Sequence, residues 1–146
     1  MTDTATRTGT KTTVDTSKFR YLHTMIRVMD LEKSIDFYTR HLGMRLLRRT
    51  ENEHGKFSLA FLGYGEETDH TVIELTYNWG RTEAYQLGPA FGHLAIGVAD
   101  IYGTCAALEK EGVKIPRPPG PMKGGRHPIA FIEDPDGYRI ELIERG

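Results

Sequence analysis

An internal repeat is the feature of this sequence that most restricts its fold. Residues 23–31 read His-Thr-Met-Ile-Arg-Val-Met-Asp-Leu and residues 93–101 read His-Leu-Ala-Ile-Gly-Val-Ala-Asp-Ile, so His, Ile, Val and Asp recur 70 positions apart. Near the end of each copy, Ile73-Glu74-Leu75 returns as Ile140-Glu141-Leu142. Such self-similarity predicts two copies of one module, each opening with a histidine on a strand and closing with a glutamate on another.

The first copy shows the pattern of one strand, one helix and three further strands. Residues 21–29 alternate apolar and polar side chains, which indicates a half-buried strand. Asp30 is a good helix N-cap and Gly43 a good stop, with apolar residues at helical spacing between them. Strand-like runs follow at residues 44–49, 57–63 and 71–77.

The second copy repeats this order. It predicts a strand at residues 94–98, a helix from the N-cap Asp100 to Gly112, and strands at residues 113–115, 129–132 and 138–144. Residues 116–128 contain four prolines before the final one and three glycines, so we predict a long loop there, and such loops are often functional. The predicted fold class is α+β: residues 19–146 form one domain of two tandem βαβββ modules, at about residues 19–80 and 90–146.

Composition excludes several classes of function. The net charge of −1 gives no electrostatic basis for binding nucleic acid or an anionic membrane. No apolar run approaches the length of about 20 residues that spans a bilayer. The single cysteine, Cys105, forms no intrachain disulfide and suits a reducing compartment, so we expect a cytoplasmic protein. The Thr-rich residues 1–18 lack the apolar centre of a secretory signal, and we expect a disordered tail there.

Four polar side chains point away from the expected core. Under period-2 alternation, His23 lies opposite a core face that contains Leu22, Ile26 and Val28, and His93 lies opposite Leu94, Ile96 and Val98. Glu74 and Glu141 each stand between two apolar residues that take the core face. A buried carboxylate is unfavourable unless it is paired or binds a metal. Two histidines and two glutamates in register therefore predict a metal site on a concave surface shared by the two sheets.

This donor set narrows the choice of metal and ligand. Two nitrogen and two carboxylate-oxygen donors leave octahedral positions open and suit Ni²⁺, Co²⁺, Mn²⁺, Fe²⁺ or Zn²⁺ better than Ca²⁺. Arg27 lies four residues after His23 and Asn78 four residues after Glu74, so each shares its neighbour's face. A guanidinium and an amide beside a metal would suit a ligand that carries a carboxylate.

The sequence around these residues resembles the glyoxalase I (lactoylglutathione lyase) family of the vicinal oxygen chelate superfamily. The similar stretches include Ser-Ile-Asp-Phe-Tyr at residues 34–38, Ile-Glu-Leu-Thr-Tyr-Asn-Trp-Gly at 73–80, and Glu-Asp-Pro-Asp-Gly-Tyr-Arg-Ile-Glu at 133–141. The resemblance covers about residues 20–145, and residues 74–80 are specific to the family. It implies the βαβββ fold, with His23, Glu74, His93 and Glu141 as the metal ligands.

The resemblance also implies how a substrate is held. Arg27 and Asn78 match positions that bind the γ-glutamyl end of glutathione, and the segment around Met122 and Lys123 matches one that closes over the substrate. Lys123 or Arg117 would take the glycyl carboxylate, since an arginine that lies four residues before the third ligand in animal-type relatives is Pro89 here.

The two copies are expected to differ in substrate binding and to meet across a dimer. Arg27 corresponds to Gly97 and Asn78 only loosely to Arg145, so the first copy alone carries the residues expected to hold the γ-glutamyl end of glutathione. In the family, the histidine and glutamate of one chain's first copy face those of another chain's second copy. The resemblance therefore implies a homodimer with two shared sites.

The implied reaction isomerises the hemithioacetal of methylglyoxal and glutathione to S-lactoylglutathione, which detoxifies methylglyoxal. The resemblance also implies one divalent metal per site, which would supply Lewis-acid stabilisation of the developing enediolate, and glutathione as the cosubstrate. Glu141 is expected to move the proton between the two carbons, with Glu74 serving the opposite substrate face. His23, where many zinc-using relatives have Gln, and the lack of their longer insertions resemble the bacterial type activated by Ni²⁺ or Co²⁺; Zn²⁺ also suits the donors.

Two alternatives stay open at this point. Another metal-dependent enzyme of the superfamily, such as a dioxygenase, an epimerase or a thiol transferase, would share the fold. Dioxygenases and antibiotic-modifying transferases typically need two histidines and one glutamate, so the fourth donor, Glu74, argues against them. A metal-free binding protein of the same fold would lack the donor set that this chain carries.

Overall fold

Two consecutive groups of elements repeat along the chain. The computed structural model describes residues 13–146, so residues 1–12 of the expected tail lie outside the described part. The first group is β1 (His23–Arg27), α1 (Leu31–Asp36) with a π-helical turn that continues it (Phe37–His41), β2 (Arg45–Asn52), β3 (Phe57–Gly63) and β4 (Val72–Asn78). The second group is β5 (Leu94–Val98), α2 (Ile101–Lys110), β6 (Arg117–Pro121), β7 (Pro128–Glu133) and β8 (Arg139–Glu144).

Each group forms its own four-stranded sheet. The strand orders are β1-β4-β3-β2 and β5-β8-β7-β6. In both sheets the opening and closing strands run parallel, and the other neighbours pair antiparallel. A parallel pair needs a long connection, which the helix and two intervening strands supply. The expected α+β fold of two tandem βαβββ modules is confirmed.

The predicted ends of the helices are present. The side chains of Asp30 and Asp100 each accept a hydrogen bond from a backbone N–H three residues on, at 3.1 and 3.0 Å, which satisfies a free donor of the first turn. Gly43 and Gly112 have φ angles of +73° and +86°, the left-handed conformation that ends a helix. Within residues 13–146, neither α-helix has the length and apolar character of a membrane span.

The apolar faces of the two sheets and the helices form one continuous core. It includes Ile26, Val28 and Leu75 of the first module and Ile132, Ile140 and Leu142 of the second. The prediction for Leu22 is wrong, because this side chain is 54% exposed. Leu22 precedes the first paired residue of β1 and therefore lies outside the part of the strand that covers the core.

The segment between α2 and β7 also differs from the prediction. Residues 113–115 form no strand, although the carbonyl of Lys114 accepts a hydrogen bond from the backbone N–H of Glu133 at 3.0 Å. Strand β6 begins instead at Arg117, inside the residues 116–128 that we expected to form a loop. Proline cannot donate a ladder hydrogen bond and is confined to edge strands. Because β6 is the edge of its sheet, its three prolines are tolerated there.

The Asp-Pro-Asp-Gly turn of the second module, residues 134–137, also lies at the contact between the two modules. Buried Asp134 accepts hydrogen bonds from the Tyr38 hydroxyl, at 2.7 Å, and from two backbone N–H groups of its own turn. The Tyr138 hydroxyl donates to the carbonyl of Arg27 at 2.7 Å. These bonds connect the π-helical turn after α1 and the end of β1 to the turn before β8, and so fix the first sheet relative to the second.

Candidate metal centre

The first donor pair lies on the sheet face that points away from the core. His23 Nε2 is 2.8 Å from Glu74 Oε1, and the two side chains are 34% and 13% exposed. Glu74 reaches this face because Ile73 and Leu75, on either side of it in β4, are buried in the core. The Phe61 ring packs edge-on against the His23 imidazole, with ring centroids 5.5 Å apart.

The second module repeats this arrangement. His93 Nε2 is 3.0 Å from Glu141 Oε1, and these side chains are 42% and 15% exposed. Ile140 and Leu142 take the core face of β8, which leaves Glu141 on the other face. Phe131 packs edge-on against His93 with centroids 5.2 Å apart. The structure therefore brings together both predicted His–Glu pairs.

The four predicted ligands do not converge within one chain. Among residues 13–146, no group of three or more His, Cys, Asp or Glu side chains surrounds a point that would hold a metal ion. Each pair nevertheless has the spacing of a metal-binding half-site. Two adjacent ligands of an octahedral ion with bonds of about 2.1 Å lie about 3.0 Å apart, which matches the observed nitrogen–oxygen separations. The donor chemistry and spacing of each pair thus fit a divalent metal.

Arg27 and Asn78 lie on the same sheet face as the first donor pair, at its far end. Arg27 is exposed at the end of β1, opposite Thr76 in the strand register. Asn78, at the end of β4, donates a hydrogen bond from Nδ2 to the Tyr85 hydroxyl at 2.9 Å. The exposed Arg27 side chain is therefore open to a ligand. The Asn78 Oδ1 atom, which accepts no hydrogen bond among residues 13–146, is open to one as well.

The predicted closing segment presents its three side chains differently. Met122 and Lys123 are exposed. Arg117 instead directs its guanidinium at the backbone: it donates to the carbonyls of Gly120 at 2.9 Å and Ile129 at 2.8 Å, and also to those of Pro118 and Pro121. These bonds hold the Arg117 guanidinium against the backbone of β6 and β7, whereas the Lys123 side chain is exposed.

Arg48 is a site neighbour that the sequence reasoning missed. Its guanidinium lies 3.7 Å from the centroid of the Phe61 ring and forms two hydrogen bonds with Glu67, at 2.7 and 3.1 Å. In the strand register Arg48 pairs with Phe61, and Phe61 pairs with Glu74. Arg117 pairs with Phe131 in the same way, so Arg48 is the residue of the first module that corresponds to Arg117. Comparing the paired strands of the two modules would have identified it.

Comparison with known proteins agrees with this arrangement. A family model described as the Glyoxalase/Bleomycin resistance protein/Dioxygenase superfamily matches residues 20–142. A probable lactoylglutathione lyase of Vibrio parahaemolyticus is 60% identical over 128 residues, which cover 88% of this chain and 92% of that protein. The lactoylglutathione lyase of Escherichia coli O157:H7 is 58% identical over 125 residues, 86% of this chain and 92% of that one.

Solved structures show the same fold. Glyoxalase I from Zea mays superposes with a TM-score of 0.83 at 46% identity, over 87% of this chain. The match spans only 45% of the maize chain, so this protein is about half its length. The trypanothione-dependent glyoxalase I of Leishmania major superposes with a TM-score of 0.76 at 49% identity, over 86% of each chain. The chain therefore belongs to the Glyoxalase/Bleomycin resistance protein/Dioxygenase superfamily and, within it, to the lactoylglutathione lyases, the glyoxalase I enzymes.

Proposed function

We propose that this protein isomerises the hemithioacetal of methylglyoxal and glutathione to S-lactoylglutathione, with a divalent metal in sites that two copies of the chain share. The observation that carries the proposal is the repeated His–Glu pair, His23 with Glu74 and His93 with Glu141, at separations of 2.8 and 3.0 Å. The names of the relatives supply the substrate and the reaction, and their identity of 56–60% to this chain supports the transfer.

The incomplete half-sites support sharing between two chains. Each half provides one imidazole and one carboxylate, and a second copy would supply the missing two donors in each of two equivalent sites. Apolar side chains beside His23 support this: Tyr21, Leu22 and Met25 are exposed along the opening edge of the first sheet. Their burial against a second copy would favour dimer formation.

Two glutamates of the chain are proposed to take part in proton transfer. A bound divalent metal supplies Lewis-acid stabilisation for the negative charge that develops on the substrate oxygens. Glu141 is proposed to take the proton from one carbon and return it to its neighbour, and Glu74 serves the opposite face. Phe131 and Phe61 pair with these two glutamates in the strand register. The Glu141 and Glu74 side chains are 15% and 13% exposed, so little water reaches them.

Other groups would hold the substrate in place. Arg27 and Asn78 are proposed to bind the γ-glutamyl end of glutathione, and Met122 and Lys123 to cover it from the β6–β7 connection. Arg117, the first residue of β6, is proposed as a further substrate-binding residue. Fixing the thiol adduct near the carboxylate turns proton transfer into a step between oriented groups.

We further propose Ni²⁺ or Co²⁺ as the activating metal and the cytoplasm as the compartment. The imidazole of His23 at the first ligand position supports the choice of metal, since nitrogen donors suit both ions. The free thiol of buried Cys105 supports the compartment, because such thiols persist under reducing conditions.

The proposal is tested by removing metals with a chelator and adding back Ni²⁺, Co²⁺, Mn²⁺ or Zn²⁺ separately. Formation of S-lactoylglutathione is then followed with the methylglyoxal–glutathione adduct. We expect the highest kcat with Ni²⁺ or Co²⁺, loss of activity in His93→Ala, and unchanged activity in His54→Gln, which alters an exposed histidine in a turn. No turnover with any metal would contradict the proposed reaction, and the highest activity with Zn²⁺ would contradict the proposed metal type.

A further inference from the structure

The second module carries an arginine on the face that holds its half-site. Arg145 follows β8 and lies four residues after Glu141, so both side chains leave the sheet on the same side. Its side chain crosses Gly97 of the neighbouring strand β5: a Cβ built on Gly97 would lie 2.6 Å from Arg145 Cδ and 3.4 Å from Nη1. The absence of a side chain at Gly97 therefore provides the space in which Arg145 lies.

Gly97 and Arg145 occupy the places that Arg27 and Asn78 occupy in the first module. In the parallel pairs, Arg27 lies two residues beyond the partner of Glu74, and Gly97 lies two residues beyond the partner of Glu141. Asn78 and Arg145 each lie four residues after the corresponding glutamate. The first module thus has a cation on its opening strand and an amide after its closing strand. The second has glycine on the opening strand, and its cation reaches across from the closing strand.

The Arg145 guanidinium is open to a ligand. Across residues 13–146 it makes no hydrogen bond and has no carboxylate within ion-pair distance. Ala95, two residues before Gly97, pairs with Glu141, so the stretch of β5 beneath Arg145 leads to the second donor pair. Both residues on this stretch are small, which leaves a shallow groove bounded by Ala95, Gly97, Arg145 and the Tyr64 side chain.

We propose that Arg145 is a substrate-binding residue that takes the glycyl carboxylate of the glutathione moiety, and that Gly97 is required for its placement. The assignment rests on the proposed function. Glutathione carries two carboxylates. Arg27 with Asn78 accounts for the γ-glutamyl one, and for the glycyl one Arg145 adds to the candidates Lys123 and Arg117. In a site that joins the first module of one chain to the second module of another, Arg145 supplies a second guanidinium, and guanidinium groups bind carboxylates through paired hydrogen bonds.

Binding measurements test this without turnover. Calorimetry compares S-methylglutathione with its glycyl monoester in the wild-type dimer, in Arg145→Gln, and in Lys110→Gln, which removes an equal charge from an exposed position on α2. We expect Arg145→Gln to weaken binding of S-methylglutathione about 10-fold or more and that of the ester less than 2-fold. Lys110→Gln should match wild type with both ligands.

A double-mutant cycle tests the role of Gly97. Gly97→Ala should displace the Arg145 side chain and weaken binding of S-methylglutathione in the wild-type background, but add nothing in the Arg145→Gln background. Additive losses would show that Gly97→Ala acts independently of Arg145 and would overturn its proposed role.

The outcomes separate this inference from the function on which it rests. Wild-type affinity in Arg145→Gln, or an equal loss for S-methylglutathione and its ester, would overturn the assignment of Arg145 while wild type still binds the acid. Failure of the wild-type protein to bind S-methylglutathione would overturn the proposed function, and the assignment with it.

Discussion

The Tyr38 hydroxyl donates a 2.7 Å hydrogen bond to Asp134, and this buried bond joins the first module to the second. Tyr38 lies in the π-helical turn after α1, and Asp134 begins the turn before β8. The same carboxylate accepts the backbone N–H groups of residues 136 and 138. Asp134 therefore stabilises its own turn and also binds the other module through a hydrogen bond. Its replacement should affect the stability of the whole chain.

Asp134→Ala should lower the free energy of unfolding by about 2–3 kcal/mol, because it leaves the buried Tyr38 hydroxyl and two backbone donors without their acceptor. Asp134→Asn is the matched control: its amide oxygen can accept the two backbone bonds, and its NH₂ can donate to the Tyr38 oxygen. Urea unfolding at neutral pH measures both. Equal losses for the two variants would contradict the hydrogen-bond argument.

Asp134 should also make stability depend on pH. Burial raises the pKa of the Asp134 carboxyl above its ordinary value of 3.8, despite the hydrogen bonds that favour its charged form. The folded state then holds a proton that the unfolded state has lost, so this contribution to stability is present at low pH and disappears as pH rises through the raised pKa. We expect the stability of wild type relative to Asp134→Asn to increase as pH falls from 7 toward 4. A constant or decreasing difference would contradict the raised pKa.

The proposed role of Glu141 predicts a separation of turnover from metal binding. Glu141→Gln removes the basic carboxylate but keeps an oxygen donor beside His93, so we expect kcat to fall by about 10²–10⁴-fold while one metal per site is retained. Glu144→Gln alters a glutamate on the other face of β8, whose side chain accepts the N–H of Ile101, and should keep kcat near wild type. Steady-state kinetics and elemental analysis measure the two effects. Full activity in Glu141→Gln would contradict its role as the base.

The repeat predicted the donor pairs because period-2 alternation ties a residue to one face of a strand. Ile73 and Leu75 face the core, so Glu74 faces away from it, whatever the rest of the fold. Alternation could not predict that the two donor pairs stay apart within one chain, because their separation depends on how the two sheets are oriented. Strand β6 was missed because its prolines argue against a strand unless that strand is known to lie at an edge.

The directions of the Arg48 and Arg117 side chains could not be predicted from the sequence either. Arg48 and Arg117 pair with equivalent phenylalanines, but Arg48 stacks on its Phe61 ring, whereas Arg117 turns toward the carbonyls of Gly120 and Ile129. The difference arises because backbone carbonyls of β6 and β7 surround the Arg117 guanidinium. Among residues 13–146, no backbone carbonyl accepts a hydrogen bond from Arg48, which binds Glu67 instead.

These two arginines should therefore contribute unequally to stability. Arg48→Met removes a half-exposed cation–π contact and ion pair, and we expect a loss of less than about 1 kcal/mol. Arg117→Met removes a charged donor from two partly buried and two exposed carbonyls, and we expect a loss of about 2 kcal/mol. Urea unfolding of the two variants under one set of conditions gives the comparison. Equal losses, or a larger loss for Arg48→Met, would contradict the difference seen in the structure.

We propose that each active site combines His23 and Glu74 of one chain with His93 and Glu141 of another. A His23→Ala/Glu74→Ala chain and a His93→Ala/Glu141→Ala chain should each be inactive alone. When the two are co-expressed with different affinity tags and purified through both, the heterodimer contains one site with four intact donors and one with none.

Measuring the kcat of this heterodimer after addition of Ni²⁺ is the most direct test of the account. Shared sites predict about half of the wild-type activity per dimer, recovered from two inactive chains. A heterodimer that is pure and metal-replete but as inactive as its parents would show that the donors of different chains do not combine, and would contradict the account.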